Sequence, residues 1–129
     1  MARKRVRFLS LKNVLAIHKR QIDRYGGLSG IRELGLVESA VLAPKHFHYY
    51  KPESSLYDLA SVYAYHISKN QGFLDGNKRT AVVCALAFLK LNGGEVLVPQ
   101  GVLLRLTEQV ASGETSRLAF AAYLAAKRL

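Results

Sequence analysis

Residues 71–80 read Gln71-Gly72-Phe73-Leu74-Asp75-Gly76-Asn77-Lys78-Arg79-Thr80, and the chain then runs into the apolar Ala81-Val82-Val83-Cys84-Ala85-Leu86-Ala87-Phe88-Leu89. An acid, an amide and two adjacent cations thus sit on a glycine-bearing loop that opens directly into a helix. Backbone N–H groups at a helix N-terminus are unpaired and carry partial positive charge, which makes a ready anion site. Gly76 permits a close approach or a positive φ. Asn77 supplies an amide for phosphate oxygens, and Lys78 and Arg79 supply charge, the arginine through a two-toothed fork. Asp75 is the natural Mg²⁺ ligand, because Mg²⁺ takes carboxylate oxygen alongside phosphate oxygens. Phe73 packs beneath the loop and holds its shape. The plainer alternative is that Asp75-Gly76-Asn77 forms an ordinary turn and cap, with Lys78 and Arg79 as a solvated first turn. Cations in a first turn oppose the helix dipole, and that unfavourable local choice favours the phosphate reading.

The elements that position this loop follow from hydrophobic spacing. Leu11, Val14, Leu15, Ile17, His18 and Ile22 fall at helical spacing over residues 11–25, and Gly26-Gly27 stops that helix. A short helix is expected over 36–42, ended by Pro44. Residues 45–54 carry His46, Phe47, His48, Tyr49, Tyr50 and Pro52 without a helical period and read as an exposed loop or hairpin. On a strand, His46 and His48 would face one way and could share a metal, but no third ligand lies nearby. Residues 55–70 form a second long helix with Leu56, Leu59, Ala60, Tyr63, His66 and Ile67 on one face, capped by Ser54 or Ser55. The third, 77–91, is apolar nearly all round and belongs in the centre of the fold; Asn92-Gly93-Gly94 ends it. Residues 95–98 read as a short extended segment, and 101–112 and 115–128 as two closing helices. The expected fold is all-α, one compact domain over 1–129 around a central apolar helix, with at most one or two short β segments.

Composition narrows the function classes. Half of the 129 residues are hydrophobic, which suits one compact core. No apolar run reaches the roughly 18 residues of a membrane span, and the basic start lacks the apolar stretch of a secretory signal. Cys84 stands alone in an apolar helix and reads as a buried, inert thiol. The chain reads as cytoplasmic. A net charge of +10 raises nucleic acid as a ligand, but apart from Arg3-Lys4-Arg5, Arg7 and Lys78-Arg79 the cations are scattered. No zinc-finger spacing or RNA-binding aromatic signature accompanies them.

The loop resembles that of the Fic/Doc superfamily, whose pattern is His-x-Phe-x-Asp/Asn-Gly/Ala-Asn-Lys-Arg, and specifically its death-on-curing (Doc) branch. Phe73, Asp75, Gly76, Asn77, Lys78 and Arg79 match. Ile22-Asp23-Arg24-Tyr25-Gly26-Gly27 resembles the family's first-helix ending, and Phe88-Leu89-Lys90-Leu91-Asn92-Gly93 the end of its central helix. The resemblance implies a helical toxin of a toxin–antitoxin pair that uses ATP and Mg²⁺ to phosphorylate a threonine of elongation factor Tu and so halts translation. It implies Asp75 as metal ligand, Asn77, Lys78 and Arg79 as phosphate-binding groups, and Arg24 as a first-helix arginine reaching the site. The aromatic segment 45–54 corresponds to the family's flap, which aligns a target by strand addition. The Fic branch transfers AMP instead; it has Gly where Lys78 stands and a second Arg where Val82 stands, so both departures favour phosphate transfer. An antitoxin of the prevent-host-death type is the implied partner, with an acidic tail drawn to the basic chain. No Glu here is followed by Gly or Asn, so the inhibitory motif of some Fic proteins is missing and control is expected from another chain.

Gln71 departs from the pattern at its catalytic His. Glutamine has no titratable group near neutral pH and cannot serve as a general base, whose loss costs about 10²–10⁴ in rate. Three accounts follow: an inactive homologue that binds nucleotide or antitoxin, an altered form of an active parent, or a slow enzyme in which Gln71 orients the nucleophile. His66, five residues upstream, is a conceivable substitute, but its place on an apolar face favours a packed histidine. Gly72, commonly Pro in related loops, is expected to loosen the loop.

Overall fold

Ser10 starts the first helix. Its Oγ accepts the Asn13 N–H at 3.1 Å while Asn13 Oδ1 accepts the Ser10 N–H at 2.9 Å, so two otherwise orphaned donors are satisfied reciprocally. Helix α1, Leu11–Tyr25, buries Val14, Ile17, His18 and Ile22 and ends at Gly26, which takes φ +85°. The computed structural model describes residues 5–129; the first four residues, which hold part of the N-terminal basic cluster, lie outside it.

Helix α2 spans Leu34–Tyr50 with Pro44 inside it, which corrects both the short helix at 36–42 and the loop or hairpin at 45–54. Proline removes one backbone donor and crowds the preceding turn. Val37, Ala40, Val41 and Pro44 are nevertheless all buried, and the face they form packs on α3. Tertiary burial outweighs the local break, so the helix continues through His46 to Tyr50. Two residues apart on a helix, His46 and His48 point about 200° apart and cannot share an ion.

Helix α3, Leu56–Asn70, is capped by Ser55, whose Oγ accepts the Asp58 N–H at 3.0 Å. Helix α4 is Asn77–Leu91, α5 is Gln100–Ser112 and α6 is Arg117–Ala126. α4 packs against α1, α3 and α5, and α3 against α2, α4, α5 and α6. The apolar α4 thus lies at the centre, as expected, with α3 packed against it. Leu59, Tyr63 and Ile67 meet Ala81, Cys84, Ala85, Phe88 and Leu89 in its core. The Cys84 thiol is buried and its pKa is pushed up to about 12 by desolvation, which fits an inert side chain. β structure among the described residues is limited to isolated bridges, Ile31 with Phe73 and Val96 with Arg128. No helix among them is long and apolar enough to cross a membrane.

The N-terminal segment is tied across this core. The Leu9 N–H donates to the buried Tyr63 hydroxyl at 2.9 Å, and the Asn92 side chain brackets the Arg7 backbone at 2.8 and 2.9 Å. Burial raises the Tyr63 phenol above its ordinary pKa. Tyr63→Phe leaves the Leu9 N–H unpaired in the core. The expected loss of stability is about 1–3 kcal/mol, read from urea unfolding.

Candidate functional site

The loop between α3 and α4 is held from below and from the side. Gln71 caps α3 in the left-handed region, φ 48° and ψ 48°, and is the one non-glycine residue with positive φ among the described residues. That conformation costs an ordinary residue about 1–2 kcal/mol. Arg32 supports it: its Nε donates to the Gln71 carbonyl at 2.8 Å and its Nη2 to the Asn70 carbonyl at 3.2 Å. The Gln71 side chain is exposed.

Gly72 is pinned rather than loose. Its carbonyl accepts the Arg32 and Glu33 N–H groups at 2.8 and 3.0 Å, and a Cβ there would lie 2.5 Å from Val37 Cγ2 and 2.9 Å from Val37 N. The expectation that glycine loosens the loop is thus overturned, because the start of α2 presses on that backbone.

Phe73 is only 2 % exposed, as its sequence position suggested, and its ring stacks on His18 at 3.7 Å and 7°. The Asn77 side chain accepts the Phe73 N–H at 3.1 Å and donates to the Phe73 carbonyl at 3.0 Å. Both arms of the amide that the sequence offered to phosphate are thereby engaged in the loop itself.

A strap formed by residues 26–33 runs alongside. Leu74 N–H donates to Gly30 O at 3.2 Å, and Ile31 bridges Phe73 in antiparallel fashion. This extended segment, not 45–54, flanks the loop. The Leu28 N–H donates to Asp75 Oδ2 at 2.6 Å, and Asp75 Oδ1 accepts no hydrogen bond among the described residues. Gly76 takes φ +78° at the N-cap of α4, and no side chain caps that helix. Its first-turn N–H groups therefore remain available to an anion.

Lys78 lies 3.2 Å from Glu108 of α5, with both side chains about half exposed, a weak and easily exchanged pair. The Arg79 guanidinium lies over the Tyr25 ring at 4.1 Å. A cleft of about 560 Å³ opens here, lined by Gln21, Tyr25, Gln71, Asp75, Lys78 and Arg79 among others. Its wall includes Ser68, a buried residue whose Oγ has no partner among the described residues. Arg24 does not line this cleft. It lies in the adjoining groove of about 630 Å³ with Arg20, Asp23, Val83 and Ala87, and Tyr25 borders both. A larger cleft of about 870 Å³, lined in part by Arg5, Arg7, His48 and Ser54, lies at the opposite ends of α3 and α4, roughly 20 Å away by helix length, and has none of the loop's residues.

The chemistry available is anion binding with one open carboxylate oxygen. No group of three or more His, Cys, Asp or Glu side chains converges among the described residues, so no all-protein metal cage forms. A single carboxylate oxygen beside free helix N–H groups suits a Mg²⁺ ion that takes its other ligands from phosphate and water. His66 does not replace a base in the loop. It lines a groove between α2 and α3, packs edge-on against Tyr65, and burial together with Arg117 and Lys69 lowers its pKa.

The sequence places His18 on the apolar face of α1 without tying it to the loop, and gives no role to Leu28 or Arg32. His18 carried a signal: a histidine on the buried face of α1 must find a polar partner. Leu28 and Arg32 act through the backbone or on it, and no residue pattern announces that.

The chain matches the Fic/DOC family over residues 8–89, from just before α1 to nearly the end of α4. The chain belongs to this family. It is 33 % identical over 111 residues to Protein kinase doc of Escherichia phage P1, covering 86 % of this chain and 87 % of that protein. It is also 36 % identical over 70 residues to Toxin Doc of Mycolicibacterium smegmatis, covering 54 % of each.

Gly72→Ala should push the loop off Val37 and lower stability by about 1–3 kcal/mol. Chemical denaturation reads the loss, and amide exchange at residues 72–74 should quicken in the same variant.

Proposed function

We propose that this chain is a Doc-type toxin of a toxin–antitoxin pair, built to bind ATP with Mg²⁺ and to pass the γ-phosphate to a threonine of elongation factor Tu, with its turnover impaired at Gln71. The observation that carries this is the uncapped N-terminus of α4, flanked by Asp75, Lys78 and Arg79 over one cleft. The free N–H groups of α4 would hold phosphate oxygens, and Lys78 and Arg79 would exchange Glu108 and Tyr25 for phosphate charge. Bound Mg²⁺ supplies charge neutralisation across neighbouring phosphates, and Asp75 Oδ1 is the group to hold it. Asn77 serves by fixing Phe73. The open edge of the strap at Ile31, beside exposed Leu28 and Leu74, would align an extended target segment. The names of the two relatives, a kinase and a toxin, agree with this reading.

What Gln71 lacks is proton transfer. Its amide can orient a hydroxyl but cannot take its proton. That favours one second reading, a catalytically silent member that binds nucleotide or a prevent-host-death type antitoxin. Lys78 and Val82 weigh against AMP transfer, as their positions in the loop and α4 already implied. Cytoplasmic action and translation inhibition follow from the proposed target.

The test is purified chain with elongation factor Tu, Mg²⁺ and ATP labelled at either the γ- or the α-phosphate, beside Gln71→His. Transfer of γ-label by Gln71→His, at least about 10²-fold faster than by the parent, is expected. Transfer of α-label alone would replace phosphate transfer with AMP transfer. Brisk γ-transfer by the parent would remove the impairment, and silence of both proteins would remove the proposed reaction on this target.

A further inference from the structure

We infer that His18 is a positioning residue: from α1 it fixes residue 75 so that the Asp75 carboxylate is presented to the cleft. The magnesium part of this inference rests on the metal role proposed above for Asp75; the positioning part does not. His18 is 5 % exposed, on a face it shares with Val14, Ile17 and Ile22. An aliphatic residue would fill that site without the penalty of burying an imidazole. The ring meets that penalty through one hydrogen bond, from Nε2 to the Asp75 carbonyl at 2.8 Å, across 57 positions of sequence. A carbonyl only accepts, so Nε2 carries the proton.

The same ring holds the loop at one further point, lying flat on Phe73 at 3.7 Å. Gly76 passes close by, since a Cβ there would stand 3.7 Å from Nε2 and Cδ2. Residues 73 and 75 are thus both set against one side chain. The strap completes the hold: Leu28 N–H takes Asp75 Oδ2 at 2.6 Å, and a Cβ on Gly27 would lie 3.1 Å from Asp75 Cβ. Residue 75 is held at its carbonyl by α1 and at its carboxylate by the segment that continues α1. Among the described residues, Oδ1 of that carboxylate accepts no hydrogen bond, one residue ahead of the Gly76 N-cap of α4.

The Leu28 amide reports where the Asp75 carboxylate sits, and it bonds to that carboxylate rather than to His18. His18→Phe keeps a flat ring on Phe73 and removes the donor; His18→Gln keeps an N–H donor and removes the aromatic ring. In amide proton NMR of the ligand-free chain, the Leu28 signal should lose its downfield hydrogen-bonded shift in His18→Phe and retain most of it in His18→Gln. Mg²⁺-dependent ATP affinity, by calorimetry, should fall about tenfold in His18→Phe while metal-free ATP binding stays unchanged. An unmoved Leu28 signal in folded His18→Phe would overturn the inference, as would equal losses with and without Mg²⁺. Should His18→Phe not fold, the parent decides: ¹⁵N NMR must find the Nε2–H tautomer, and an Nδ1–H tautomer refutes it. A parent that binds no Mg²⁺-ATP removes the nucleotide reading alone, since the Leu28 shift still judges the positioning.

Discussion

The site depends on how Phe73 is fixed. Its ring is sealed into the core against His18, and both of its backbone polar groups are taken by one side chain, Asn77. A loop of polar residues would otherwise sample many conformations, each competing with the one that aims Asp75 at the cleft. Burying an aromatic ring at its midpoint converts core packing into loop rigidity. Asn77 then couples that ring's backbone to the first turn of α4, so the free N–H groups share the same anchor. Rigid support of this kind is what an anion site needs, because donors that must be ordered on binding give up part of their affinity.

Much of this was legible in the sequence and some was not. Helices α1, α3 and α4 announce themselves through spacing, the serine cap of α3 and the glycine stops of α1 and α4, and their ends fall within a residue or so of expectation. The α2 boundaries did not, because Pro44 and the aromatic run from Phe47 to Tyr50 are poor local helix signals, and burial of Val37, Ala40, Val41 and Pro44 against α3 decides the matter. With α2 running to Tyr50, residues 45–50 are helical and are not the extended segment beside the loop. The extended strap sits at 26–33, where three glycines, Gly26, Gly27 and Gly30, adopt positive φ. The sequence marked Gly26 and Gly27 as a stop, which they are, without showing that the chain beyond them lies against the loop at 71–76.

Charge placement in the loop looks different once neighbours are known. Lys78 and Arg79 oppose the dipole of α4, yet each has a surface partner, Glu108 and the Tyr25 ring. Both partners are partly exposed, so both interactions are weak in water and screened by salt. A phosphate group at the helix N-terminus offers each cation a stronger bond than the one it would leave. These pairs therefore hold the cations at the cleft only weakly. Asn77 is the opposite case: its amide is tied into the fold and would have to break two hydrogen bonds to reach a ligand.

Gln71 brings these threads to one position. The backbone there is held left-handed, a conformation that glycine or asparagine would adopt with less strain, and Arg32 spends two donors on the carbonyls at this corner. The side chain itself makes no hydrogen bond within the described residues and points to solvent at the rim of the cleft. Stability alone would favour glycine at such a place. The strained backbone sets a polar side chain beside an acid, two cations and open helix donors in one cleft, which is the placement the proposed function draws on. The chain keeps that geometry while the side chain it presents can orient a hydroxyl but not deprotonate it. Under the proposed phosphate transfer, what Gln71 would lack is proton transfer alone, since the backbone that presents it is held in place by Arg32.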